Sequence, residues 1–325
     1  MVSVEGDEVF RAAERQGTVE LARFDGPGIA LRPGNCVEVE IAHWTRYSFS
    51  CPVYLEPHLL RFQPRCDGSQ RLLEFDLDLD PAPAGMASTL DASGNVVTQV
   101  WFDGLHESLT INAKSVVALM RENPFDYLPD HGRTMLPVFY GDDAGALRSY
   151  LRRDAISGDG ADEVAVFGAR MRAAARGEML PFLNALNQTV YDRFTRIRRE
   201  DEPIWPPAQT WREKRGACRD LAWLFVDVCR AVGVAARFVS GYEDVGVQDQ
   251  PGDLHAWAEA YVPGGGWRGY DPSRGLATGR CHVAVAAAAT PGGAAPVTGS
   301  FRAAHGTSRL HSEVLVQRRV AELVA

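Results

Sequence analysis

Arg215-Gly-Ala-Cys218-Arg-Asp220-Leu-Ala-Trp-Leu-Phe-Val-Asp-Val-Cys229-Arg-Ala-Val-Gly233 is the stretch that decides the reading. Leu221, Leu224, Phe225, Val228 and Val232 recur at helical intervals and make one apolar stripe. Gly233 is suited to the left-handed position that ends a helix. The spacing therefore predicts a helix from near Cys218 to near Val232, with Gly216 allowing a sharp entry. Cys218 then opens the helix, where unpaired N–H groups and the helix dipole favour negative charge. A thiolate is stabilised there, and a backbone N–H can face a developing oxyanion. Cys229 lies eleven residues on, roughly 16 Å of helix rise, so the two cysteines share neither a metal nor a disulfide. Taken alone, either cysteine reads as a small buried hydrophobe.

Downstream, Leu254-His-Ala-Trp-Ala-Glu-Ala-Tyr-Val262 alternates strictly, with His255, Trp257, Glu259 and Tyr261 on one face. Pro263-Gly-Gly-Gly266 is a turn, and Trp267 to Asp271 is the return strand, closed by Pro272. The turn permits a register with His255 opposite Asp271, about 5 Å apart at Cβ. That separation suits a carboxylate holding an imidazole in one tautomer. A half-buried strand histidine and a strand-ending aspartate are ordinary features singly. A cysteine opening an apolar helix, then a strand histidine, then a hairpin aspartate is a specific order, and it points to a Cys218–His255–Asp271 triad.

The rest of the chain frames this stretch. Val37 to Ile41 alternates, as does Leu72 to Leu79, where Leu73, Phe75, Leu77 and Leu79 are expected on one face. Asp91 to Asn95 is turn chemistry before a strand over Val96–Phe102. Short strands at this spacing suggest a β-sandwich. Val164–Arg176 and Pro181–Arg198 have helical spacing, Pro203–Gln209 reads as irregular, Pro291–Gly299 as a loop, and Val314–Val316 as a final strand. The expected organisation is a β-rich region over 1–120, a helical connecting region over 121–202, a catalytic core over 203–290, and a C-terminal loop and strand over 291–325.

The 325 residues are 46% hydrophobic and 23% charged, with a formal net charge of -8, so a nucleic-acid partner is not expected. No apolar stretch is long enough for a membrane helix, and the N-terminus lacks a secretory pattern, so a cytoplasmic location is expected. Six cysteines without a C-x-x-C pair argue against a disulfide scaffold or a structural zinc site. No metal or cofactor is expected. The partner expected is a peptide or protein amide substrate, and the sequence leaves the oligomeric state open.

Gly216-Ala-Cys218-Arg-Asp220-Leu-Ala, Val239-Ser-Gly-Tyr242, His255-Ala-Trp257-Ala-Glu259, Gly266-Trp267 and Asp271-Pro-Ser273 together resemble the bacterial transglutaminase-like family. The resemblance covers about 203–285. His43-Trp-Thr-Arg-Tyr47, Leu60-Arg-Phe-Gln-Pro64 and Gly94-Asn95 are similar to the β-rich region that often precedes this core. The resemblance implies an α+β fold: a papain-like transglutaminase core, with its catalytic helix packed on an antiparallel sheet, preceded by an all-β sandwich-like region. It also implies nucleophilic catalysis through a thioester by Cys218, with His255 as base and then acid, and Asp271 orienting His255. Thioester transfer to water would make a cysteine peptidase or amidase; transfer to an amine would make a protein-glutamine acyltransferase. A fold kept only for binding or as a scaffold is the rival reading. Trp211 and Gln209 lie upstream, where papain-like enzymes place an oxyanion donor, and Trp257 is expected to pack beside the site. The chain departs from the pattern at Arg219, where relatives often have Gln, and at Ser273-Arg274, where they often have Thr-Asn. The Ala-rich run after His282 is a third departure, one that would alter substrate choice if it lined the cleft. Arg237 and Tyr242 read either as substrate contacts or, the preferred reading, as strand-edge structural residues, and Asp220 as a dipole partner. Glu243-Asp244 and Asp249-Gln250 read either as a loop that shapes a cleft or, the preferred reading, as a solvated acidic loop, and Arg196–Arg199 as a solvated helix face.

Overall fold

A computed structural model describes residues 36–153, 161–199, 203–244 and 254–319. All belong to one compact unit that begins at Cys36. Readings that fall on the N-terminal segment or on Asp249-Gln250 lie outside the described residues.

The first half is built on strand length and alternation. β1 (Val37–Leu55), β2 (His58–Leu60), β3 (Gln70–Asp80), β4 (Gly85–Leu90), β5 (Val96–Trp101) and β6 (His106–Leu119) are its strands. β1 pairs along most of its length with β6, and β6 with β3. β2, β5 and β4 form a second sheet. Val53, Leu55, Leu60, Phe62, Val100, Phe102, Leu109 and Ile111 fill the space between the sheets. The expected single face of β3 is broken at its start. A register shift between Leu72 and Glu74 bulges the strand, so Leu73 is exposed while Leu79 is buried. Asp91 Oδ1 accepts from the N–H groups of Ser93 and Asn95 at 2.8 and 2.9 Å, closing the turn before β5.

The helices are α1 (Ala144–Leu151), α2 (Ala161–Ala174), α3 (Met179–Arg193), α4 (Pro207–Glu213) and α5 (Cys218–Ala231). The helix predicted to reach Arg198 stops at Arg193. Phe194 turns into the core, and β7 (Thr195–Arg196) pairs in parallel with β8 (Arg215–Gly216). Gly233, at φ +82°, ends α5 as its sequence requires. α2 and α3 do not merely connect: Val164, Phe167, Phe182, Leu186 and Val190 share one core with Leu221, Leu224, Phe225 and Val228 of α5.

The second sheet system is antiparallel, in the order β12 (Leu276–Ala277), β11 (Gly266–Asp271), β10 (Leu254–Val262), β9 (Ala236–Glu243), β13 (His282–Ala288). Ala256, Ala258 and Ala260 of β10, with Ala236 and Phe238 of β9, share the core with the apolar residues of α5. The small side chains of the four alanines let helix and sheet approach closely. After β13 the chain returns to the first half. β14 (Val297–Thr298) joins β2, while β15 (Phe301–Arg302) and β16 (Ser308–Arg318) join β1. The strand expected at Val314–Val316 is therefore the end of a longer one.

β13 is an edge strand, and its edge is covered by two side-chain amides. Gln70 donates to Ala284 O and accepts from Ala284 N, both at 2.8 Å. Asn95 donates to Ala287 O at 2.9 Å and accepts from Ala287 N at 2.8 Å. The Ala-rich run is buried here, because alanines fit a strand pressed between β9 and the sandwich.

A second seam joins Tyr242 to the sandwich. Tyr242 Oη lies 2.8 Å from His43 Nδ1, and Ser312 Oγ lies 3.0 Å from His43 Nε2. Burial lowers His43 from the ordinary 6.5 to about 4. The unfolded chain thus binds more protons than the folded one between these values. Stability is expected to fall by about 3 kcal/mol as pH drops through that window. His43→Gln should lose this part of the acid sensitivity, read as a smaller difference between urea midpoints at about pH 7 and about pH 4. An unchanged difference would remove His43 from the account.

Candidate active site

Cys218 is the first residue of α5, and Ala217 before it has no side chain able to cap the helix. The cap comes from inside the first turn. Asp220, fully buried, accepts from Ala217 N and from Trp205 N, both at 2.8 Å. It also pairs with Arg199, whose side chain is buried. Asp220 is thus a buried anchor more than a dipole partner, and Arg199 does not lie on a solvated helix face. Gly216 is required here: a Cβ would sit 2.8 Å from Asp220 Cβ. The N–H groups of Cys218 and Arg219 have no intrahelical acceptor by the geometry of a helix start.

His255 enters near the start of β10. The β10–β11 register runs Val262↔Gly266 to Ala258↔Tyr270. Its continuation sets Asp271 opposite Trp257 and leaves His255 on the diagonal, two residues from the expected register. The turn explains the shift. Gly265 N donates to Val262 O at 2.8 Å, with Pro263 and left-handed Gly264 between them. That is a type II turn, and it centres the hairpin on Gly264. Because the slip is two residues, parity is kept. Diagonal side chains on one face remain within reach.

The contact is direct. His255 Nε2 lies 2.6 Å from Asp271 Oδ2, with both residues buried. Cys218 and His255 also act on one another, each favouring the charged form of its partner. Since Nε2 is engaged by Asp271, Nδ1 is the nitrogen left for the sulfur. The other carboxylate oxygen, Asp271 Oδ1, accepts from Ser273 N at 2.9 Å and Ser273 Oγ at 2.8 Å. A further histidine completes the set: His282 Nε2 lies 3.1 Å from Asp271 Oδ2. Glu243, at the end of β9, stands 3.8 Å from His255 Nε2 and pairs with Arg274 at 2.8 Å. Asp244 is buried and pairs with Arg318. Glu243-Asp244 is therefore a strand end held by arginines, not a solvated acidic loop.

The electrostatics follow from these contacts. Burial alone would lower His255, but hydrogen bonds and charge from Asp271 and Cys218 outweigh it and push it up to about 10. Burial would raise Asp271, yet His255 and His282 hold it well below the usual carboxylate range. Burial likewise opposes the Cys218 thiolate, while His255 and the Ala256 N–H bring the thiol down. Cys229, deep in the core, moves the other way on burial. The two thiols are thus shifted in opposite directions, Cys218 toward the thiolate and Cys229 away from it.

Trp257 is buried with its ring 6.2 Å from His255 and, edge-on, 5.2 Å from His282. Trp211, on α4, packs on Phe167 at 4.5 Å and Phe194 at 6.0 Å. Gln209 lies half-buried on the same helix. Arg237 pairs with Glu259 and lies over Trp267, and Tyr242 is buried in the seam.

Glu243, His255, Asp271 and His282 each offer a ligand atom within 4.8 Å of the others. Ligands about 2.0 Å from a tetrahedral zinc stand about 3.3 Å from one another. The 2.6 and 3.1 Å separations here are shorter and converge on one oxygen. As placed, the set is a hydrogen-bond network rather than a coordination sphere.

Residues 39–118 match the family described as the bacterial transglutaminase-like N-terminal region, and residues 169–272 match the transglutaminase-like superfamily. The chain thus carries a transglutaminase-like core behind a bacterial transglutaminase-like N-terminal region. The second match ends just past Asp271, so His282 and β13 lie beyond it. An uncharacterized protein of Mycobacterium bovis is 26% identical over 260 residues, 75% of this chain and 81% of its own length. One of Mycobacterium leprae is 22% identical over 280 residues, 81% and 92% respectively. A crystal structure of a candidate cysteine protease from Cytophaga hutchinsonii superposes on this transglutaminase-like chain with a TM-score of 0.70. Its identity is 19%, and it covers 89% of this chain and 93% of its own. That likeness carries the fold: a papain-like core joined to a β-rich N-terminal region. Among the described residues, no helix is long and apolar enough to cross a membrane.

Proposed function

We propose that this protein is a thiol-dependent amide-bond enzyme in which Cys218, His255 and Asp271 act as a triad. The observation that carries the reading is the buried 2.6 Å contact between His255 and Asp271, with Cys218 opening α5 and its thiol drawn down by His255. Cys218 Sγ attacks the amide carbonyl carbon of a peptide or protein. His255, having taken the thiol proton, delivers it to the leaving nitrogen as the C–N bond breaks and a thioester remains. The N–H of Cys218 faces the developing oxyanion. Water then attacks the thioester, or an amine does, and His255 takes the proton of the attacking group and returns it to sulfur. Attack by water makes the protein a cysteine peptidase or amidase, and attack by an amine makes it an acyltransferase. Exclusion of water from the thioester separates the two outcomes.

The test is intact mass after iodoacetamide labelling across a pH range, with Cys218→Ala identifying the labelled site. Fast labelling at Cys218 well below the ordinary thiol pKa of about 8.5 is expected. Labelling no faster than at an ordinary thiol would replace the enzyme reading with a silent scaffold of the same fold.

A further inference from the structure

Asp271 serves more than one histidine. Its side chain is fully buried, and its four acceptor sites meet four donors: His255 Nε2 and His282 Nε2 at Oδ2, Ser273 N and Oγ at Oδ1. Three of these come from its own hairpin and the turn after it. His282 arrives from elsewhere. It opens β13, is buried, and stands opposite Glu243 in the pairing with β9. Gln70 and Asn95 of the sandwich clasp the far edge of the same strand. His282 Nδ1 is buried with no hydrogen-bond partner. A proton on that nitrogen would be an unpaired buried donor, so the ring carries its proton on Nε2, where Asp271 accepts it.

We propose that His282 is a positioning residue for the thiol chemistry. Its Nε2–H fixes the Asp271 carboxylate against rotation and shares the charge that would otherwise fall on His255 alone. The proposal rests on the triad reading. A carboxylate bonded to a single imidazole holds that imidazole's proton more tightly. His255 must release its proton to the leaving nitrogen, so an over-held proton slows that step. The second donor on the same oxygen moderates the pull. The charged and titratable groups facing His255 are Asp271 of β11, Glu243 of β9 and Cys218 of α5, with Arg274 behind Glu243 and His282 from β13. Changing His282 alone leaves the other four in place.

The experiment compares the pH midpoint of Cys218 alkylation and, once a turned-over peptide is in hand, kcat and KM for wild type, His282→Ala and His282→Gln. Without the second donor, His255 holds its proton harder and the thiolate beside it persists to lower pH. The midpoint in His282→Ala is expected about half to one pH unit lower. Its kcat is expected about tenfold lower with KM unchanged, a part of the roughly 100- to 10,000-fold that acid–base catalysis supplies. The Gln amide donates as Nε2 does, so His282→Gln should restore both. Loss of rate with no movement of the midpoint would mean that His282 only supports the fold, and would overturn the proposal. Wild type without low-pH labelling would overturn the triad reading, and this one with it. Should both variants fail to fold, the imidazole 15N–1H signals of wild type decide. A proton on His282 Nε2 is expected, and a bare Nε2 overturns the proposal.

Discussion

Asp271→Asn is expected to cut turnover by about four orders of magnitude, as wrong-tautomer variants of other triads do, and to abolish labelling of Cys218 at low pH. The amide is the right size, so the argument is about protons. Ser273 N–H and Oγ–H both donate to the Oδ1 position, and the backbone N–H cannot change its role. The Asn carbonyl oxygen therefore stays at Oδ1, and its NH2 group occupies the position of Oδ2. There it meets Nε2 of His255 and of His282, both donors in the native protein. His255 escapes the clash by shifting its proton to Nδ1, the nitrogen left for Cys218. A neutral ring protonated on that side cannot take the thiol proton. Circular dichroism should show a retained fold, and labelling should follow an ordinary thiol. Retention of more than about a tenth of the low-pH labelling rate would show that Asp271 does not set the tautomer.

Asp220→Ala is expected to destabilise the protein by about 3–4 kcal/mol, the cost of breaking a buried ion pair. The mutation removes the acceptor of two backbone N–H groups, at Ala217 and Trp205, and the carboxylate paired with Arg199. Those groups tie the first turn of α5 to the segment before α4. Asp220→Asn keeps an acceptor and should cost clearly less. Urea unfolding reads both variants. A loss below about 1 kcal/mol in the Ala variant, the scale of one surface pair, would mean that the first turn is held by other contacts.

Much of the site was legible because its elements are short-range. The stripe from Leu221 to Val232 and the glycine after it marked α5 almost to the residue. The alternation of Leu254–Val262 put His255 on the same face as Trp257, which the structure retains. Where the reading failed, the missing information was between segments. The hairpin register depended on Gly264 taking the left-handed position of a type II turn, and the sequence allowed a neighbouring centre. Leu73 was misplaced by a bulge that only the pairing of β3 with β6 shows. Glu243 and Arg199 read as solvated charges because Arg274 and Asp220, their partners, lie 31 and 21 residues away in the chain.

The sequence by itself determined the helix that Cys218 opens, the strand that carries His255, the turn before Asp271 and the order of the three. Each is written in a local period or in a glycine or proline whose backbone preference acts within a few residues. Only the tertiary structure decided that Asp271 answers to His282 as well as His255, that Asp220 is a buried anchor, and that the alanine run is an edge strand clasped by Gln70 and Asn95. These are pairings between distant segments. Their register is set by which surfaces close together without leaving buried polar groups unmet, a condition that no local period encodes.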